Sequence, residues 1–375
     1  MSGIPVISEG KTISRILVGT RVSDVASILE GDVFVVCDRS VRHLADKIVR
    51  QARAHARDAA GNGRPAVIRA VTQVDTSEEE KNLYTVMDIC KWLLEKGADR
   101  GSLLLVVGGG ITTDMAGFAA SIYKRGIRFA FVPTTLLAQV DAAIGGKTGV
   151  NFLDFKNMLG VIRQPEWTWI SPEPLRSLPP RDFFSGAAEL LKTFLIEDRD
   201  GNYARAVRLL TRIRQADGES QAQVLAKTTP ALQKLIAAAA AVKAGIVSRD
   251  PYERGERRKL NLGHTFAHGI EWEARRRGRD ISHGEAVAAG TVLAAQLAEK
   301  LGLAEGLVDR IVEDFVACGL PTASPFPLES LEEAMVRDKK AEGGAVRFIL
   351  PVAVGRVEER SLTVRRALDL LQEEM

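Results

Sequence analysis

The sequence predicts an α/β domain with a doubly wound, mostly parallel sheet over residues 1–178, then an all-α domain over residues 179–375. Three observations carry this. Leu103-Leu104-Leu105-Val106-Val107 is continuously apolar, as a strand must be when helices cover both faces of a parallel sheet. Around it, β-rich runs alternate with helical stretches, the rhythm of a doubly wound sheet. Ser171-Pro172-Glu173-Pro174 to Leu178-Pro179-Pro180 is the Pro-dense segment of the chain, and beyond it the pattern is helical to about residue 340. At 375 residues the chain is about twice a typical domain, so two domains are expected.

Taken in order, Val33–Asp38 reads as a strand, Val41–Arg57 as a helix, Ala66–Ala70 as a strand and Glu78–Glu95 as a helix. Gly108-Gly109-Gly110-Ile111-Thr112-Thr113-Asp114 directly follows the apolar strand and leads into a helix. Glycines there let a ligand approach the backbone, and a helix start offers free N–H groups to a phosphate. The run is not G-x-G-x-x-G, so the standard dinucleotide fingerprint is absent. Phe129–Val132 is a further strand, ending in the polar loop Pro133-Thr134-Thr135.

Next come Asp141, Gly145-Gly146-Lys147-Thr148 and Lys156-Asn157, two lysines and a carboxylate around a Gly-Gly turn. This suits anion binding beside a proton-transfer group. It is not a P-loop, which would need glycine at 141 where Asp141 stands. After the boundary, Glu189 and Lys192 share a helix face; a pair at this spacing is usually surface decoration. Asp200–Arg214 and Glu305–Val316 carry apolar stripes for packing, and Ala226–Ala244 reads as a buried helix leading to the loop Arg249–Gly255. Arg337-Asp338-Lys339-Lys340 and the strand-like Val346–Pro351 close the chain.

The rarest side chains concentrate in Arg257–His268. Of five histidines, His264, His268 and His283 fall within twenty residues, and His264 and His268 share one helix face with Asn261 and Arg257. Such a stripe suits a polar, anionic ligand beside a metal ion. His283 opens an Ala-rich helix that can pack closely enough to bring it against His264, with Glu189 as the candidate acidic donor.

Composition is that of an ordinary globular chain, 46% hydrophobic and 26% charged. A net charge of +3 gives no argument for nucleic acid. No apolar run approaches the roughly 20 residues needed to cross a bilayer, and the N-terminus lacks a signal-peptide pattern. Cys37, Cys90 and Cys318 have no ligand-like spacing and read as reduced thiols. A cytoplasmic protein is expected.

Read together, these motifs resemble the 3-dehydroquinate synthase family. The resemblance rests on residues 108–114, Gly117-Phe118, Tyr123-Lys124-Arg125-Gly126, Pro133–Leu137, Asp141, Gly145-Gly146-Lys147, Lys156-Asn157, Leu178-Pro179, Glu189 and Lys192. It continues through Arg257, Leu260-Asn261, Gly263-His264-Thr265, His268, His283–Val287 and Asp338-Lys339-Lys340, some ten ordered blocks over residues 75–350. Thr113 stands where many members have glycine, Thr291 where methionine is common, and Thr76 where the family's Asp-Gly-Glu motif has aspartate.

The resemblance implies an N-terminal NAD-binding domain and a helical domain holding zinc, or cobalt, with Glu189, His264 and His283 as ligands. It places His268 on substrate instead of metal. It implies an active site between the domains, a homodimer, and Arg125 reaching the neighbouring subunit's substrate phosphate. The substrate implied is 3-deoxy-D-arabino-heptulosonate 7-phosphate. Lys147, Asn157, Arg257, Lys243 and Lys340 would hold its anionic groups, while Asp141, Lys192, Asn261 and His268 would contact hydroxyls and relay protons. Glu78, Lys81, Gly109, Gly110, Ile111, Thr112, Thr113, Asp114, Thr134, Thr135, Lys147, Lys156, Pro174, Leu175, Arg176 and Ser177 match NAD contacts. The alternatives are a related sugar-phosphate cyclase of secondary metabolism and a metal-dependent polyol dehydrogenase of the glycerol dehydrogenase type.

Overall fold

The computed structural model describes residues 3–58, 65–153, 155–215, 220–338 and 345–373. Two compact units are present: Met1–Leu178 with Lys243–Tyr252, and Pro179–Val242 with Glu253–Met375.

Unit 1 contains β1 (Ile4–Ser8), β2 (Lys11–Val18), β3 (Asp32–Asp38), α1 (Arg42–Asp58), β4 (Val67–Val74), α2 (Leu83–Glu95), β5 (Leu103–Gly108), α3 (Gly110–Ile122), β6 (Arg128–Pro133), β7 (Lys147–Phe152), β8 (Phe155–Ile162) and β9 (Trp167–Ile170). Seven strands form one sheet in the order β1-β2-β9-β6-β5-β3-β4, parallel except for the β1–β2 hairpin. The strand order reverses between β3 and β5, so the carboxyl ends there open the crevice in which such sheets bind ligands. Strand β5 is buried along its whole length because alternate side chains face two cores. Leu103, Leu105 and Val107 pack with Leu44, Ile48 and other α1 residues; Leu104 and Val106 pack with Ile89 of α2 and Met115 of α3.

Several local expectations shift. Helix α2 starts at Leu83 because the Asn82 side chain accepts from the Thr85 N–H and caps it there. Residues Glu78 and Lys81 thereby stand before the helix. The N-terminal hairpin and the β7–β8 hairpin lie outside the expected strands; their apolar residues are interrupted by polar ones and many of their positions are exposed.

Unit 2 and the chain entering it contribute α4 (Pro180–Ile196), α5 (Asn202–Arg214), α6 (Gln221–Arg249), α7 (His264–Arg276), α8 (His283–Lys300), α9 (Leu307–Ala317), α10 (Glu332–Asp338), β10 (Val346–Ala353), β11 (Arg356–Leu362) and α11 (Val364–Gln372). It is helical, with one addition to the all-α expectation: Val346–Ala353 pairs with Arg356–Leu362 as an antiparallel hairpin. The last turns of α6, from Lys243, belong to unit 1. By length and composition alone α6 could cross a membrane, which the interrupted apolar runs of the sequence do not suggest; half of its most apolar window is buried within the fold.

Helix α8 packs against both α4 and α7, with Gly284 and Gly290 at the close approaches. Gly284 is one place where nothing larger fits, since a Cβ there would lie 2.0 Å from the Ser185 carbonyl oxygen of α4. The start of α8 is fixed by a reciprocal cap. Ser282 accepts from the Glu285 N–H, and the Glu285 carboxylate accepts from the Ser282 N–H.

Candidate active site

The close approach of α4, α7 and α8 brings Glu189, His264 and His283 together, their ligand-type atoms all within 4.8 Å of one another. Glu189 Oε1 lies 3.3 Å from His283 Nε2 and 3.7 Å from His264 Nε2. His268, on the same face of α7 as His264, stands outside this triad with its ring 5.6 Å from that of His264. Spacing on one helix face thus does not bring His268 into the converging group.

The Glu189–Lys192 pair, which spacing alone marks as a surface pair, is fully buried. Lys192 Nζ lies 2.6 Å from Glu189 Oε2 and donates to the Leu260 carbonyl at 2.8 Å. The Glu189 carboxylate is thus held by ionic contacts to Lys192 and His283. Lys192 balances its charge on the Oε2 side, while Oε1 faces the two imidazoles. Two imidazoles and a carboxylate make a donor set of the zinc type with room for a further ligand, so the residues present fit a divalent metal.

The electrostatics agree. Burial by itself would raise the Glu189 carboxyl, but the Lys192 ammonium and His283 outweigh it and hold it well below the usual carboxylate range. Burial, reinforced by Lys192 and the neighbouring imidazoles, pushes His264 well below the ordinary histidine value, leaving a neutral ring. Its Nδ1 is 3.1 Å from the Leu262 carbonyl, which directs Nε2 inward. For His283 burial acts downward, but Glu271 and Glu189 outweigh it and raise the group. Without metal, His283 thus carries a proton between two carboxylates, and a metal would displace it.

Arg257 and Asn261 lie in the turn before α7. Arg257 is only 2% exposed, so its guanidinium is buried in that turn. Asn261 Nδ2 donates to Glu253 Oε1 at 3.0 Å. Glu253 sits in a left-handed backbone conformation, φ 57°, and sequence spacing alone gives no reason to single it out. Glu271 was equally missed; its signal is the i, i+4, i+7 stripe of His264, His268 and Glu271 on α7.

Unit 1 places its polar residues at the carboxyl ends of strands. Gly109 is the N-cap of α3 and supplies no side-chain cap, leaving the first turn at Gly110, Ile111 and Thr112 open to an anion. Thr134 N–H donates to the Gly108 carbonyl, and Thr135 Oγ1 accepts from Ala138 N–H, tying the β6 loop beside the glycine turn. Thr112 and Thr113 are buried. Lys81 Nζ donates to Asp114 Oδ2 and to Asn157 Oδ1, each at 2.6 Å. Glu78 accepts from Asn151 at 2.9 Å and lies 3.6 Å from Lys156 Nζ. One network therefore joins the segment before α2, the start of α3 and the β7–β8 hairpin.

Asp141 lies in a single π-turn, Ala138–Ala142, a backbone irregularity common at functional sites. Lys243 Nζ donates to the Asp141 carbonyl at 2.7 Å and pairs with its carboxylate. Lys147 is exposed at the start of β7. Pro174 and Leu175 are buried in a short 3-10 turn after β9, while Arg176 and Ser177 are exposed. Arg125 is exposed and left-handed, φ 65°, on the turn after α3. Lys339 and Lys340 lie outside the described residues.

Comparison with known proteins finds the 3-dehydroquinate synthase N-terminal family model over residues 71–185 and the C-terminal one over residues 186–341. The chain is 42% identical over 289 residues to 3-dehydroquinate synthase of Shewanella sp. (strain MR-4), covering 75% of each chain. It is 40% identical over 301 residues to that of Pyrococcus abyssi, covering 80% of this chain and 84% of the relative. Among solved structures it is similar to 2-epi-5-epi-valiolone synthase of Streptomyces hygroscopicus subsp. jinggangensis with NAD+ and Zn2+ bound. That similarity has TM-score 0.81 and 25% identity, and covers 96% of both chains.

Proposed function

The chain belongs to the 3-dehydroquinate synthase family, and from that premise we propose that it converts 3-deoxy-D-arabino-heptulosonate 7-phosphate to 3-dehydroquinate and inorganic phosphate. This is a carbon–oxygen lyase reaction of the shikimate pathway of aromatic amino-acid biosynthesis. The observation that carries the reading is the convergence of half-buried His264 and His283 on the buried Glu189–Lys192 pair.

A divalent ion, zinc or cobalt, held by Glu189, His264 and His283 would lower the pKa of a substrate hydroxyl and orient it. NAD, held by the unit 1 residues named below, would supply reversible hydride transfer at that carbon and be regenerated in each turnover. The ketone formed in between acidifies the adjacent C–H and lets phosphate leave by elimination, after which the ring opens and an intramolecular aldol closes the carbocycle.

The chain's own residues bind, orient and move protons. Gly109 to Asp114, Thr134, Thr135, Lys147, Lys156, Glu78, Lys81 and the 174–177 turn are the proposed NAD contacts. Lys243 and Arg257 would hold the substrate carboxylate. Lys147, Asn157 and Lys340 would hold the phosphate, joined by Arg125 from the second subunit of a homodimer. Lys192, whose Nζ lies against Glu189 and the Leu260 carbonyl, would as an ammonium give a proton to a substrate oxygen and take it back. Asp141, Asn261 and His268 would contact the remaining hydroxyls. A free sugar phosphate as substrate suits a cytoplasmic enzyme.

The similarity to a valiolone synthase makes a substrate comparison the proper test. Product analysis after incubation with the heptulosonate phosphate should give 3-dehydroquinate, with no turnover of sedoheptulose 7-phosphate. Turnover of sedoheptulose 7-phosphate alone would move the chain to the secondary-metabolism cyclases.

A further inference from the structure

Each histidine of the triad presents Nε2 to Glu189 and has Nδ1 held from behind, but by different groups. His264 Nδ1 faces the Leu262 carbonyl at 3.1 Å. His283 Nδ1 faces Glu271 Oε1 at 3.3 Å. Glu271 is 7% exposed, a buried carboxylate with no place in the chemistry described above. It stands two turns after His264 on α7, whereas His283 is the first residue of α8. One helix thus carries a ligand-type histidine and also the group that holds the ligand-type histidine of its neighbour.

We propose that Glu271 is a positioning residue of the metal centre: its carboxylate fixes His283 as the Nδ1–H tautomer and aims Nε2 at the site shared with Glu189 and His264. The inference rests on the metal reading of that triad. An imidazole offers a metal only the nitrogen that carries no proton, so an acceptor behind Nδ1 decides which nitrogen that is. A carboxylate acceptor does more than a carbonyl, because its charge strengthens the imidazole as a donor and adds to the attraction for a cation. Glu271 also restrains the ring where the helix alone does not: His283 is at the first position of α8, with no preceding helical turn to pack against.

The test is Zn2+ affinity of the full chain, measured by competition with a chromophoric chelator, together with the absorption spectrum of the Co2+-loaded protein. Glu271→Ala is expected to bind Zn2+ about 10- to 100-fold more weakly. Glu271→Gln keeps an acceptor oxygen without the charge, and should recover part of that loss while its Co2+ spectrum shifts from the wild type. The metal-free melting temperature of each variant reports folding separately. A purely structural Glu271 would lower that melting temperature and leave the Zn2+ affinity of the folded protein unchanged, which overturns the proposal. If Glu271→Ala does not fold, wild-type affinity and an unaltered Co2+ spectrum in Glu271→Gln overturn it equally. A wild-type chain without affinity for Zn2+ would overturn the metal reading itself, an outcome distinct from unchanged affinity in the variants.

Discussion

Unit 1 and unit 2 hold their polar residues by different physical means. In unit 1 they lie on loops at the carboxyl ends of strands, and much of the anion-binding capacity is backbone: the open first turn of α3 behind Gly109. Its lysines are satisfied in advance, Lys81 by Asp114 and Asn157, Lys243 by Asp141. In unit 2 the residues are side chains on helices, brought together where α4, α7 and α8 pack, and Glu189 is set between Lys192 and the two imidazoles. Loops over a rigid sheet can adjust to a ligand. A helix-borne triad cannot adjust, and its geometry depends on the packing behind it.

That contrast predicts a graded set of losses. The largest should come from Glu189→Gln, which removes the charged donor. Phosphate release should fall on the order of a thousandfold or more, the several kcal/mol that a bound metal supplies, while NAD binding by unit 1, measured by fluorescence titration, stays near wild type. Lys192→Ala should lower kcat by about 10²- to 10⁴-fold with Zn2+ content and NAD affinity retained. Near-normal turnover in that variant would remove the proton-relay role.

Metal-free stability should follow the triad's own charges. Glu189 is held down at about 2 from an ordinary 4.5, so its contribution is present above pH 4.5 and is lost as pH falls toward 2. His283 is raised to about 10 from 6.5, so its contribution is full below pH 6.5 and is lost as pH rises toward 10. Denaturant midpoints of the metal-free chain should therefore decline on both sides of that window. Zn2+ should abolish the alkaline decline, because His283 is then held by the metal and not by a proton.

Packing changes should be smaller. Gly284→Ala places a methyl group 2.0 Å from the Ser185 carbonyl, and should cost about 1–3 kcal/mol and lower Zn2+ content with it. Ser282→Ala removes one half of the α8 cap, with an expected loss of about 1 kcal/mol in thermal unfolding. If Gly284→Ala left Zn2+ content intact, the triad would be less dependent on helix packing than proposed here.

The same contrast governs what could be read from the sequence. The Leu103–Val107 strand, the glycine turn and the polar strand ends are local patterns, and the parallel sheet follows from them. The β1–β2 and β7–β8 hairpins have no such signature, and α2 begins at Leu83 because one asparagine caps it there. In unit 2 the rarity of histidine and the small-sided helix after His283 suggest the group Glu189, His264 and His283, although helical spacing alone offers His268 equally. What sets His283 against Glu189 is the packing of helices distant in sequence. Burial likewise separates Glu189–Lys192 from the many i, i+3 pairs that mean nothing, and burial is not a local property. Glu271 and Glu253 escaped because their partners are defined only by the fold.

The most direct measurement is phosphate release from 3-deoxy-D-arabino-heptulosonate 7-phosphate with substoichiometric NAD, with and without a chelator. The account predicts one phosphate per substrate, no accumulated NADH, loss of activity on chelation and its return with Zn2+. Net NADH formation without phosphate would contradict it and point to a dehydrogenase.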